Sequence, residues 1–316
     1  MRRLATTSDG RAAVAPHLAL VGVQLMFGTW PIFGKIALAA LPSTGLVAFR
    51  VAGAAIAFLI LQRAVGSSQP MRRRDYARLA LYSLLGVVLN QFLFVKGLSL
   101  TTVINATLLG TTIPVFTLLV SITLGYDRLT LRKALGIALA AAGVVYLLYP
   151  ERYFTSDTAL GNLLIVLNSV AYGAYIAVTK DVIKRYGALK VLAWIFLFAC
   201  AATVPIGGYA LVNSDLRQAG PGIWLAVLYI ILVPTVGAYY LNAWALARVE
   251  PSTVAVYIYL QPLIGFALAP LILNERWNPR MWIASLLIFS GVAAVTWRTR
   301  DHAMQEIAEH PEALSH

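Results

Sequence analysis

From Pro114 through Asp127-Arg128 and Arg132 to Gly143-Val144, the chain repeats itself without a gap. The copy runs from Pro262 through Glu275-Arg276 and Arg280 to Gly291-Val292, displaced by 148 residues. Each copy is an apolar stretch broken by proline, a short charged turn, and a second apolar stretch ending on Gly-Val. A fainter copy pairs Phe27-Gly28-Thr29-Trp30 and Lys35 with Tyr172-Gly173-Ala174-Tyr175 and Lys180, displaced by 145. Two such halves fold around a pseudo-twofold axis, an arrangement that in membranes belongs to transporters.

That the setting is a membrane follows from composition: 59% of the 316 residues are hydrophobic, 12% are charged, and the mean hydropathy is +0.76. A soluble surface cannot be built from so few polar residues. Apolar runs long enough to cross a bilayer, about 20 residues each, fall at 17–40, 44–62, 78–98, 102–124, 132–149, 159–180, 188–212, 222–247, 252–273 and 279–297. The predicted fold is therefore an all-α integral membrane protein of ten transmembrane helices, arranged as two inverted five-helix repeats. Its parts are a cytoplasmic tail over 1–16, the first repeat over 17–149, the second over 150–297 and a second cytoplasmic tail over 298–316. Because five is odd, the second repeat enters the membrane from the opposite face.

Charge placement supports the same topology. With both termini in the cytoplasm, eighteen of the 25 Lys and Arg residues lie inside, among them Arg72-Arg73-Arg74, Arg128 and Arg132. Four lie outside, Arg152, Arg217, Arg276 and Arg280, and this asymmetry sets orientation. It also accounts for the net charge of +12 without a nucleic-acid partner. An alternative for the first span is a cleaved signal peptide ending near Ala37-Leu38-Ala39, but its removal would break the repeat. The acidic tail from Asp301 to His316 reads as disordered.

Polar side chains are costly inside a bilayer, so their positions point to a pathway. Helix 1 offers Trp30, helix 3 Asn90-Gln91, helix 4 Asn105 and Thr111, and helix 6 Asn168, Tyr172 and Tyr175. Helix 8 offers Tyr239, Tyr240 and Asn242, while helix 9 offers Tyr257, Tyr259 and Gln261. Together they suggest a cavity of rings and amides, although each alone could be an interhelical hydrogen bond. Pro114 and Pro262, at matching repeat positions, are the expected hinges, since proline frees a carbonyl one turn earlier; a packing kink is the plainer reading. Lys35, Arg50 and Lys96 fall within spans. They can form an outer vestibule for a carboxylate or phosphate, or their long side chains can snorkel to the interface. Lys180 is the repeat equivalent of Lys35, so the two are candidates for helix-end capping or paired gates.

All thirteen acidic residues lie at span ends, in turns or in tails, and the histidines are His17 and three in the carboxy-terminal tail. The carboxylate that a proton-for-cation exchanger alternately loads is therefore missing from the spans. No metal-ligand spacing exists among His, Cys, Asp and Glu, so neither a metal nor a cofactor is expected, and the single Cys200 carries no redox message. An intramembrane lipid-modifying enzyme, the alternative from another class, needs clustered His, Asp or Glu that this sequence does not supply. A receptor or scaffold is a further alternative.

At Phe27-Gly28-Thr29-Trp30 through Gly34-Lys35, Ala48-Phe49-Arg50, Pro114-Val115-Phe116, Asp127-Arg128-Leu129-Thr130, Glu250-Pro251-Ser252, Gln261-Pro262 and Asn274-Glu275-Arg276, the chain resembles the EamA family of the drug/metabolite transporter superfamily. The resemblance implies ten helices, with a central cavity between helices 1–4 and 6–9 and with helices 5 and 10 peripheral. It also implies transport of amino acids or other small metabolites, often outward across the bacterial inner membrane. The expectation is a monomer or homodimer in membrane lipids that moves a small zwitterionic or anionic metabolite by alternating access, an amino acid being the first choice. Efflux of drugs or other metabolites is the alternative within the family.

Overall fold

A computed structural model of the chain describes residues 8–65, 70–125, 128–148, 156–249, 254 and 257–296. Asp127, the Glu250-Pro251-Ser252 turn and the tail from Asp301 lie outside these residues. The described residues form helices and no strands. This is the expected answer of an apolar chain in lipid, where each backbone N–H and C=O needs a partner within its own segment.

In chain order the helices are α1 (Ser8–Leu38), α2 (Ser43–Val65), α3 (Arg73–Ser83), α4 (Asn90–Leu100), α5 (Val103–Gly110), α6 (Ile113–Thr123) and α7 (Leu131–Leu148). There follow α8 (Ser156–Tyr186), α9 (Ala188–Val212), α10 (Pro221–Ile230), α11 (Ala238–Leu246), α12 (Leu260–Leu273) and α13 (Pro279–Thr296). Several of these join end to end. Among the described residues, seven continuous stretches are long and apolar enough to cross a membrane: Ala15–Leu38, Ser43–Val65, Arg73–Leu100, Val103–Thr123, Asp157–Tyr186, Ala188–Val212 and Pro221–Leu246. Leu260–Leu273 is a shorter apolar helix, while α7 and α13 have 18 residues each. The chain is a multi-pass membrane protein.

Three of these stretches are interrupted and a fourth break lies just ahead of Leu260–Leu273, and the interruptions fall at closely matched positions. A π-helical segment, Leu84–Leu89, joins α3 to α4, and another, Ile231–Gly237, joins α10 to α11. Gly86 in the first is offset by 148 from Pro234 in the second. Between α5 and α6 the helix breaks at Thr111-Thr112, just ahead of Pro114. The chain breaks again at Ile258-Tyr259, just ahead of Pro262. Single-turn π segments inside α-helices are uncommon and concentrate at functional sites. By contrast α2 and α7 run without interruption, as do α9 and α13.

The uninterrupted helices pack in pairs on small residues. Gly143 of α7 meets Ala284, Leu287 and Ile288 of α13, while Gly291 meets Gly136 and Ala140, so the two helices run antiparallel. A Cβ on Gly291 would sit 2.4 Å from the Ala140 backbone nitrogen. In the same way α2 lies against α9, with Gly207 on Thr44 and Ala48, Gly45 on Leu211, and the Phe58 and Phe196 rings 5.2 Å apart. Small residues let backbones approach where lipid supplies no hydrophobic drive. Gly187 makes the one-residue turn between α8 and α9 with φ +83°, a conformation open in practice only to glycine.

Candidate functional site

A cavity of about 60 Å³ lies among the interrupted stretches and α1, α2 and α8. Its wall is Phe27, Trp30, Arg50, Asn90, Gln91, Phe94, Ile113, Asn168, Tyr172, Tyr239 and Gln261. The volume suits a few waters, each needing about 10–15 Å³ of such space. The site is thus contracted, and a metabolite enters only if the wall moves.

Hydrogen bonds tie this wall across the two halves. Gln91 Nε2 donates to the Tyr239 hydroxyl at 2.8 Å, and these two residues are themselves 148 apart, so the repeat brings its own equivalents into contact. The Tyr239 hydroxyl also lies 3.1 Å from Asn90 Oδ1 and 3.2 Å from the Gly86 carbonyl inside the first π segment. Asn168 donates to the Asn90 carbonyl at 2.8 Å and Gln261 to Gln24 Oε1 at 2.6 Å, while within the second half Asn242 donates to the Tyr172 hydroxyl at 3.3 Å.

Arg50 is the only ionised side chain in this wall, and it is 1% exposed. Its guanidinium lies 3.7 Å from the centre of the Trp30 ring. Nε donates to Thr235 Oγ1 at 3.0 Å, in the second π segment, and Nη1 donates to Gln91 Oε1. Neither ion pair found among the described residues involves it; both belong to Asp75.

The structure brings together seven of the residues singled out from sequence: Trp30, Asn90, Gln91, Asn168, Tyr172, Gln261 and Arg50. Snorkelling of Arg50 and its place in an outer vestibule are both excluded by its burial. Asn105 belongs instead to a polar knot at the start of α5, where its Nδ2 donates to Thr101, whose hydroxyl donates to Asn162 at 2.5 Å. The Thr111 hydroxyl is spent on the Leu108 carbonyl of its own turn. Tyr175 packs over Gly86 and stacks on Tyr172. Tyr257 pairs with His17 at 2.8 Å, and Lys96 is exposed. Lys35, in the last turn of α1, feels the Glu275 carboxylate. Lys180 is half-buried and outside the cavity wall.

Tyr240 lines a different space, a vestibule of about 480 Å³ shared with Val65, Lys184, Lys190, Trp244 and Arg248. Beside it, Asp75 at the start of α3 accepts from the Tyr186 hydroxyl at 2.6 Å and pairs with Arg185 at 3.4 Å, tying α3 to the end of α8. Glu275, in the turn after α12, accepts from the backbone N–H groups of Val103 and Ile104 at 2.7 and 3.0 Å and so caps α5.

Sequence reasoning missed Gln24, Thr235, Phe27 and Phe94, and offered Tyr239 only alongside Tyr240. Signals existed for three of them. Gln24 precedes Phe27 and Trp30 at helical spacing on one face of α1, Thr235 follows an intramembrane proline, and Tyr239 is the repeat equivalent of Gln91.

A membrane-spanning helical fold with an amide- and ring-lined cavity between interrupted helices defines a transporter by class. The chain belongs to the EamA-like transporter family, whose pattern it matches twice, over residues 15–149 and 159–297. It is 27% identical to an uncharacterized transporter of Archaeoglobus fulgidus, over 89% of this chain and 96% of that one. It is 25% identical to a probable terminal-alkyne amino-acid exporter of Streptantibioticus cattleyicolor, over 81% and 84% of the two chains. A protein of known crystal structure shares the fold with a TM-score of 0.63 at 20% identity, over 89% of this chain and 96% of its own. The first two of these relatives carry the names of transporters.

Proposed function

We propose that this protein is an alternating-access transporter of a small zwitterionic or anionic metabolite, an amino acid being the first candidate. The observation that carries the reading is the set of four matched interruptions around a contracted cavity: Leu84–Leu89 with Ile231–Gly237, and the break before Pro114 with the break before Pro262. Interrupted helices cost little to bend, and placing them around one site lets that site open to either face.

The ten expected spans, taken as two inverted halves of five, rock about the level of these breaks. The antiparallel contact of α7 with α13, which are repeat equivalents, supports the inversion. With both termini in the cytoplasm of a bacterial inner membrane, the vestibule beside Lys184, Lys190 and Arg248 opens inward. Glu275 on α5 then closes the outer side, and Asp75 on Tyr186 restrains the inner one.

Charge selects the cargo. Arg50 favours an anionic group, and none of the cavity-lining residues is a carboxylate that could hold a proton or an organic cation in turn. Facilitated diffusion or exchange fits this inventory. The amino-acid exporter among the relatives supports the first choice of substrate.

Counterflow in proteoliposomes preloaded with amino acids, organic acids or nucleosides tests the reading. We expect accumulation of a labelled amino acid, of equal extent with and without a pH gradient. Accumulation of quaternary cations alone would contradict it.

A further inference from the structure

We infer that Arg50 is the receptor for the cargo's carboxylate, which restricts the ligand class to carboxylates and zwitterionic amino acids; this rests on the transport reading above. A guanidinium has five N–H donors. Two are used, on Thr235 and Gln91, and the Trp30 ring covers one face of the group. The remaining donors border the cavity wall with no acceptor among the described residues. A charge left so deep in a low dielectric without a counter-ion is costly, and the Trp30 ring and two neutral acceptors offset only part of that cost. A ligand carboxylate supplies the missing charge in the planar two-oxygen form that a guanidinium fork matches.

The rest of the wall suits the other end of an amino acid. Asn168 and Gln261 each spend their amide N–H on a protein acceptor, leaving Asn168 Oδ1 and Gln261 Oε1 to accept from an ammonium. Phe94, beside Trp30 at 5.9 Å, offers an apolar surface to the side chain. Gln91 is the positioning residue: it holds Arg50 through Oε1 and is itself held by Tyr239.

The test uses the full-length protein in detergent, where binding is read as thermal stabilisation and no compartment is involved. The probes are the common L-amino acids, each with its matching amide and decarboxylated amine. Stabilisation by at least one amino acid and by none of the matched amides or amines is expected. Arg50→Lys weakens that binding roughly 10- to 100-fold, the scale of one charge-assisted fork. Because a change at Arg50 can itself unfold the protein, the deciding variant is Gln91→Glu, nearly isosteric, which gives Arg50 an internal carboxylate. It is expected to keep or raise the melting point of the free protein and to abolish amino-acid stabilisation.

Equal stabilisation by the amides, unchanged binding in Gln91→Glu, or no stabilisation by any carboxylate in the set would each overturn the inference. Counterflow read on the same preparations separates the two claims. Transport of neutral or cationic solutes that persists in Gln91→Glu would leave the transporter and remove the carboxylate receptor. Carboxylate binding without any transport would do the reverse.

Discussion

Thr235 has two obligations, donating to the Ile230 carbonyl at 2.6 Å within the second π segment and accepting from Arg50 Nε. Thr235→Val keeps the shape and removes both bonds, leaving a buried cationic N–H unpaired at a cost of about 1–3 kcal/mol. The midpoint of thermal unfolding in detergent should fall accordingly; an unchanged midpoint would mean that Thr235 does not hold the guanidinium. This residue also marks a limit of reading a sequence. Arg50 stands about two turns from a span end, where a long side chain in isolation reaches the interface. Only the packing of α2 against α9 and the second π segment turns it inward. Tyr239 and Tyr240 illustrate a different limit. Neighbours on a helix point about 100° apart, so one lines the cavity and the other the vestibule, and choosing between them requires knowing which face meets the site. Asn105 lies in the first turn of α5, which begins at Val103, and so at the end of its span and away from the cavity.

At the scale of elements, the breaks in the helices recur where the sequence repeats. The proline-linked breaks at Thr111-Thr112 and Ile258-Tyr259 were legible because proline ends a helix ahead of itself whatever surrounds it. The π segments were not, because Gly86 and Pro234 share no residue type and only tertiary contacts decide whether such a turn widens. The glycines of α7 and α13 stand at helix-packing intervals, Gly136 and Gly143 in one and Gly291 facing them in the other. Gly291→Ala tests that pairing, since its Cβ would lie 2.5 Å from the Gly136 carbonyl oxygen, and backbone must move to admit it. A loss of about 1–3 kcal/mol in stability is expected, read as a lower melting point. Amino-acid binding by the folded fraction should be unchanged, because neither helix contributes a cavity residue. Weaker binding with an unchanged melting point would place α13 in the site after all.

For the whole molecule, two unequal spaces lie on either side of the Tyr239-Tyr240 pair, which supplies one ring to each: a basic-lined vestibule of about 480 Å³ and a cavity of about 60 Å³. Composition and charge asymmetry were enough to predict a membrane protein with a polar interior, since both follow from counting. The state of the pathway was not legible, because it depends on how closely the walls approach. Alternating access requires one cavity residue to meet both aqueous phases in turn. Ile113 lines the cavity and makes no side-chain hydrogen bond. Ile113→Cys in a Cys200→Ala background should therefore react with a membrane-impermeant thiol reagent in right-side-out and in inside-out vesicles, and the bound amino acid should slow both reactions. Reaction from one face only, with and without the amino acid, would contradict the account.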